Sequence, residues 1–132
     1  MKMKLESNLP NELETLVRNV IGAAIEVHRH LGPGFLENIY EQALCYELST
    51  RGITFERQKE IVVPYKNISI FGQRLDIVVE GQVIVELKTV EQLLPLHEAQ
   101  ILSYLKSTGM KVGLLMNFNV KQLKTGIKRM VM

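Results

Sequence analysis

The chain has 132 residues, 46% of them hydrophobic and 23% charged, a balance typical of one folded, soluble domain spanning residues 1–132. It excludes a disordered chain, and no apolar run approaches the ~20 residues of a membrane-spanning helix, so we expect no membrane partner. The formal net charge is only +2. The single cysteine, and an N-terminus "MKMKLESNLP" without a signal-peptide apolar stretch, favour a reducing cytoplasm.

The first part of the chain predicts two helices. Apolar residues at i, i+3 and i+4 run through residues 11–31, and Asn11 with Glu14 resembles a capping box at the start. The segment Gly32–Gly34 ends this helix, and a second helix covers about residues 36–50.

Strands predominate after residue 52. Alternating apolar and polar residues predict antiparallel strands joined by short turns, then a helix whose following strand returns parallel to a neighbour. The predicted elements are strands over 53–63, 68–79 and 83–89, a helix over about 96–107, a strand over 111–118, a helical turn near 121–124 and a strand over 127–131. This order predicts an α/β fold with a mixed β-sheet flanked by helices.

Two charges end an otherwise apolar strand, "VIVELKT". Residues 83–85 predict burial on both faces, yet Glu86 and Lys88 follow on one face. If the preceding turn spans residues 80–82, Asp76 lies opposite Glu86, whereas a two-residue turn would separate them. Opposed carboxylates repel unless a cation lies between them, so this pair predicts a site for Mg²⁺ or Mn²⁺.

Such a site would suit phosphodiester hydrolysis. A bound cation lowers the pKa of a coordinated water and offsets phosphate charge, and Lys88 could orient that water or accept its proton. The alternative is an exposed cross-strand ion pair, worth less than about 1 kcal/mol and without a catalytic role.

Polar residues on the predicted helices could complete the site. Glu37 and Glu41 lie beside Tyr40 on the second helix, and either carboxylate could join the metal shell. Gln100 and Tyr104 are four residues apart on the third helix and could hold a phosphate or orient the lysine. The alternative for this last pair is a half-buried contact between helix and sheet.

The charge of the chain is unevenly distributed. Residues 99–132 contain no Asp or Glu, which predicts one basic face for nucleic acid. The alternative is a solvated, lysine-rich surface. The basic residues of this segment are Lys106, Lys111, Lys121, Lys124, Lys128 and Arg129.

The segment "GPGFLENIYEQAL" contains Gly34-x-x-Glu37-x-x-Tyr40. It resembles the signature of the GxxExxY proteins, a bacterial and archaeal group within the PD-(D/E)XK nuclease superfamily. The resemblance extends over nearly the whole chain, including "RLDIVVE", "VIVELKTVEQLLPLHEAQILSYLK" and "GLLMNFN". It implies a restriction-endonuclease-like fold with an αβββαβ core.

The resemblance also implies roles for individual residues. Asp76 and Glu86 match the acids of the superfamily motif, Lys88 matches its lysine, and Glu37 is similar to a helical acid that some members add to the metal site. Gln100 and Tyr104 resemble a Gln-x-x-x-Tyr motif. The proline that names the superfamily is absent, because Leu75 precedes the first acid.

These observations support three hypotheses. The first is a metal-dependent nuclease acting on DNA or RNA. The second is a catalytically silent nucleic-acid-binding module with the same fold, for which binding would be salt-sensitive but independent of metal. The third is a protein-interaction module that self-associates, for example as a homodimer.

Overall fold

The computed structural model describes residues 9–132, so most of the N-terminal stretch on which the signal-peptide expectation rests lies outside the described residues. The elements follow the predicted order. They are α1 (Asn11–Leu31), α2 (Glu37–Thr50), β1 (Phe55–Tyr65), β2 (Ile68–Val79), β3 (Val83–Lys88), α3 (Pro95–Thr108), β4 (Val112–Asn117), a 3₁₀ turn (Leu123–Gly126) and β5 (Ile127–Val131). No helix within residues 9–132 is long and apolar enough to cross a membrane.

The five strands form one mixed sheet in the order β1-β2-β3-β4-β5. All neighbours are antiparallel except β3 and β4, which are parallel and connected through α3. The order α2, β1–β3, α3, β4 is the predicted αβββαβ arrangement. The structure therefore confirms an α/β fold with a mixed sheet flanked by helices, consistent with a restriction-endonuclease-like core.

The apolar core lies on both sides of the sheet. On one side α1 and α2 cover it, with Leu44 and Val85 completely buried; on the other side α3 covers it, with Ile84 and Leu105 completely buried. Each such side chain contributes about 1.5–3 kcal/mol by leaving water. Strand β3 is therefore buried on both faces, as its apolar run predicted.

The predicted capping box at the start of α1 is wrong. Asn11 is the first helical residue, and the N-cap is Pro10, whose carbonyl oxygen accepts the Glu14 N–H at 3.0 Å without any side-chain cap. Because the backbone of Asn11 already has helical geometry, its side chain cannot take the position of a capping group.

Strands β1 and β2 exchange faces together at Gln58 and Asp76. Leu75 and Ile77 are two residues apart and should share a face, yet Leu75 belongs to the α3 side of the core and Ile77 to the opposite side. The register is the same before and after this point, and Gln58 has a φ of 49°. Simple alternation along each strand is therefore interrupted at this point.

Beyond this point β1 and β2 pair only with each other. Strand β3 pairs with β2 at Ile77–Val79 alone, so residues 59–75 form a two-stranded projection, here called the ribbon. Gly72 lies at a register shift in the ribbon, with a φ of 116° that favours glycine. Strand β1 extends through Pro64, which it tolerates as an edge strand.

Candidate active site

Two carboxylates mark the point where β2 and β3 part. The turn between the strands spans residues 80–82 as predicted, because Val79 pairs with Val83. This register carries Asp76 and Glu86 to opposed positions, one step beyond the last paired residues. From there β2 continues along β1 and β3 continues along β4, which leaves an opening between them at the two acids.

Hydrogen bonds between side chain and backbone replace the ladder at this point. The Asp76 N–H donates to Glu86 Oε1 at 3.2 Å, and the Leu87 N–H donates to Asp76 Oδ2 at 2.9 Å. Each carboxylate thus binds the backbone of the opposite strand. Both side chains are oriented before any ligand arrives, which is how functional groups are preorganised.

Glu86 has a strongly raised pKa. Its residue is 6% exposed, and burial followed by the charge of Asp76 raises its pKa to about 7. The hydrogen bond from the Asp76 backbone and the charge of Lys88 oppose this rise. A bound cation would favour the ionised form, so the acid is suited to a ligand of positive charge.

Lys88 ends β3 on the same face as Glu86. Its Nζ donates to Gln100 Oε1 on α3 at 3.4 Å, so the structure brings these two predicted residues together. Asn117, which pairs with Lys88 across the parallel strands, is 2% exposed and exchanges hydrogen bonds with the Val90 backbone at 2.9 and 3.1 Å. The sequence analysis missed this buried asparagine, which fixes the loop leaving the site.

Tyr104 faces the two acids from α3. The residue is 8% exposed, and its pKa is raised by burial, then by the charges of Glu86 and Asp76. Its hydroxyl accepts a hydrogen bond from Gln73 Nε2 at 3.2 Å. The phenol therefore stays protonated at neutral pH, and its hydroxyl is bonded to the ribbon.

Glu37 lies at the other side of the opening, in the first turn of α2. Its pKa is raised by burial and then by the charge of Asp76, while Lys88 lowers it. The carboxylate is therefore within electrostatic reach of the site. Its role as a third metal ligand stays a prediction.

Tyr40 explains the structural part of the Gly34–Glu37–Tyr40 spacing. Its hydroxyl donates to the Gly32 carbonyl oxygen at 2.5 Å and accepts the Phe35 N–H at 3.2 Å. Its ring, completely buried, stacks on Phe118 with centroids 4.5 Å apart. Tyr40 thus fixes the loop that precedes α2, and with it the position of Glu37.

A second group supports the site from behind Asp76. Glu41 is 7% exposed, and its two carboxylate oxygens accept hydrogen bonds from Arg57 Nε and Gln58 Nε2, both at 3.0 Å. Gln58 is the residue opposite Asp76 where β1 and β2 exchange faces. The sequence analysis considered Glu41 as a metal ligand, but the structure makes it the anchor of this exchange.

The donor set fits a hard divalent cation that brings its own further ligands. Among residues 9–132, no three His, Cys, Asp or Glu side chains converge into a metal-binding group. Mg²⁺ is, however, usually held by one or two carboxylates together with water and substrate phosphates. Asp76 and Glu86 provide that arrangement, and their mutual repulsion favours an ion between them.

The structure does not gather the six predicted basic residues into one face. Lys128 pairs with Glu98 on α3 at 3.3 Å, whereas Arg129 pairs with Glu14 on α1, at the opposite side of the sheet. Lys111 lies near the β2–β3 turn, away from the carboxylates. The remaining three are exposed: Lys106 on α3, and Lys121 with Lys124 beside a cavity of about 500 Å³ at the end of α1.

Comparison with known proteins gives a match to one family model. A family model described as the PD-(D/E)XK nuclease superfamily matches residues 14–130, a range that contains every side chain of the candidate site. Searches of curated proteins and of solved structures found no match.

Proposed function

Because this chain belongs to the PD-(D/E)XK nuclease superfamily, we propose that it is a nuclease that hydrolyses phosphodiester bonds of DNA or RNA with Mg²⁺ or Mn²⁺. The supporting observation is the pair Asp76 and Glu86, oriented by hydrogen bonds at the opening between β2 and β3, with Lys88 beside them. The spacing of Gly34, Glu37 and Tyr40 supports the further proposal that the chain is one of the GxxExxY proteins.

The carboxylates bind the cation in this mechanism. Asp76 and Glu86 supply hard oxygen ligands, and Glu37 adds negative charge from α2. When bound, the cation offsets charge on the phosphate and lowers the pKa of water. Because Glu86 is buried beside another acid, its affinity for a proton competes with its affinity for the ion.

The amine of Lys88 positions the attacking water. The Nζ donates a hydrogen bond to Gln100 Oε1, and this contact holds the amine on the face of Glu86, where it can orient a water for attack on the phosphorus. The Tyr104 hydroxyl can donate a hydrogen bond to one of the acids or to a phosphate oxygen. Lys106, Lys121 and Lys124 are exposed basic residues that could bind the backbone, and the other three predicted contacts stay part of the proposal.

The test is hydrolysis of labelled single- and double-stranded DNA and RNA with Mg²⁺, with Mn²⁺ and with EDTA. Lys88→Ala and Asp76→Asn should each lower the rate about a hundredfold or more, because each removes a group that acts on the reacting atoms. Arg18→Ala, an exposed cation on α1, is the matched control and should leave the rate unchanged. Equal trace activity in wild type and Lys88→Ala would exclude the nuclease.

The alternative is a nucleic-acid-binding module that keeps the fold and does not cleave. The alternative predicts salt-sensitive binding of nucleic acid that EDTA does not weaken.

A further inference from the structure

The ribbon borders the opening in which a substrate must lie. Strand β2 parts from β3 at Asp76, and everything beyond that point in β2 pairs only with β1. A phosphodiester that reaches the two carboxylates therefore lies between the ribbon on one side and the end of β3 on the other. Gln73, at the base of the ribbon, already bonds Tyr104 of the site.

The outer part of the ribbon exposes apolar and aromatic side chains. Phe71 is 65% exposed and Tyr65 is 54% exposed. Alternation along the paired strands places Tyr65, Ile68 and Ile70 on one face of the ribbon and Val62 with Phe71 on the other. Exposed apolar groups that lie close together mark interaction surfaces, so both faces of the ribbon are candidates.

The charge of the ribbon selects the kind of partner. The ribbon carries three basic residues, Lys59, Lys66 and Arg74, against one acid, Glu60. The Lys66 ammonium lies 5.5 Å from the centroid of the Tyr65 ring, so charge and aromatic surface are presented together. Two such ribbons would repel each other, whereas a polyanion with flat bases matches both properties.

The length of β2 sets which part of a bound strand the ribbon can reach. Five residues separate Phe71 from Asp76, which corresponds to ~17 Å of extended strand. At about 3.4 Å per nucleotide of a stacked strand, Phe71 lies about five nucleotides from the acids, and Tyr65, which pairs with Ile68, lies farther out.

We propose that the ribbon binds the nucleic-acid strand on one side of the cleaved phosphate. Phe71, on one face, stacks on an unpaired base about five nucleotides away, Tyr65, on the other face, stacks on a base farther along the strand, and Lys66 contacts the backbone. This inference rests on the proposed function, because it takes nucleic acid as the substrate. It extends that function from the reacting group to a defined footprint.

The experiment measures binding of a fluorescent 20-nucleotide single strand by anisotropy, in the Lys88→Ala background with Mg²⁺. Phe71→Ser and Tyr65→Ser should each weaken binding about five- to a hundredfold, since stacking accounts for that range per base. Phe71→Tyr should bind like the parent protein and Phe71→Leu should not, because stacking requires a ring. Tyr46→Ser, at an aromatic residue 71% exposed on α2, is the matched control and should bind like the parent.

The outcomes separate this inference from the proposed nuclease. Both ribbon side chains are more than half exposed, so the variants should keep the Tm of the parent by circular dichroism. If cleavage depends on Lys88 but Phe71→Ser binds like the parent, the ribbon proposal is overturned and the nuclease stands. If Phe71→Ser loses binding but wild type cleaves no substrate, the ribbon stands and the nuclease is overturned. A dimer that Phe71→Ser converts to monomer in sedimentation would assign the surface to self-association and overturn the proposal.

Discussion

Asp76 and Glu86 each accept a backbone N–H from the strand of the other, at 2.9 and 3.2 Å. The two acids therefore connect the strands at the point where regular pairing ends, and their orientation does not depend on a bound ion. The same arrangement crowds two negative charges in a place where one of them is almost fully buried. This crowding has a measurable effect on the stability of the metal-free protein.

We predict that the metal-free protein loses stability as the pH rises. The pKa of Glu86 is about 7 in the folded state against 4.5 ordinarily, so the folded state binds more protons than the unfolded state between these values. The free energy of unfolding should fall by on the order of 3 kcal/mol from about pH 4.5 to about pH 7 and level off above that. Urea denaturation in EDTA across this range measures the change.

Substitution identifies the group responsible. Glu86→Gln should remove most of the pH dependence and make the metal-free protein more stable than wild type at pH 8, since no buried charge is formed. Glu91→Gln, at an exposed acid outside the site, should keep the wild-type profile. A Glu86→Gln protein that still loses stability between pH 5 and pH 7 would assign the effect to another group. Mg²⁺ should reduce the wild-type loss, because it offsets the same repulsion.

The second prediction concerns Gln58, which has a φ of 49° within β1. Valine is normally preferred to glycine in a strand by up to about 1 kcal/mol. At a positive φ a branched side chain instead costs roughly 1–2 kcal/mol, so Gln58→Gly should be more stable than Gln58→Val. Glu60, two positions along the same strand, is the matched site where valine should be better than glycine. Chemical denaturation of the four variants checks the reversal, and valine being better at both positions would contradict it.

The relative positions of the two acids and the lysine could be predicted from the sequence, because they depend only on local rules. Alternation along a strand puts Glu86 and Lys88 on one face, and a three-residue turn puts Asp76 opposite Glu86. The helical residues Gln100 and Tyr104 followed from a four-residue spacing on one helix face. Each of these relations extends over one element or one hairpin, and all were found together in the structure.

The relations that the sequence could not predict depend on long-range packing or on an irregular backbone. Nothing local in "ERQKE" indicates that Gln58 adopts a positive φ or that Glu41 anchors it. Counting basic residues also failed to predict their arrangement, because neighbouring residues of an edge strand point to opposite faces. Lys128 and Arg129 accordingly pair with acids on α3 and α1.

The third prediction concerns Tyr40, the last residue of the Gly34-x-x-Glu37-x-x-Tyr40 spacing. Tyr40→Phe removes the donor to the Gly32 carbonyl oxygen and the acceptor of the Phe35 N–H. We expect a loss of about 1–3 kcal/mol in the free energy of unfolding, because partly buried groups lose their partners. The proposed nuclease activity should fall as well, since α2 would no longer hold Glu37 in place.

The control for this prediction is Tyr46→Phe on the same helix. Tyr46 is 71% exposed, and loss of its hydroxyl should change neither stability nor activity. If Tyr40→Phe unfolded at the same urea concentration as wild type, the hydroxyl would not be what fixes the loop before α2.

The last prediction concerns the distance between α3 and the sheet. A Cβ added at Gly113 would lie 2.7 Å from Cγ2 of Ile101, a completely buried residue of α3. Gly113→Ala should therefore push α3 outward and cost about 1–3 kcal/mol of stability. Because α3 carries Gln100 and Tyr104, the rate of the proposed hydrolysis should fall by more than the loss of folded protein explains, since the contact to Lys88 is loosened.

A double-mutant cycle isolates this contact. Ile101→Ala alone removes buried methyl groups and should cost about 2–5 kcal/mol. In the Gly113→Ala background the same change should cost less, because the smaller side chain gives the new methyl room. Urea denaturation of the four proteins yields the coupling. Strict additivity would mean that β4 and α3 tolerate the added methyl without moving, and that the position of Gln100 is set by contacts elsewhere on the helix.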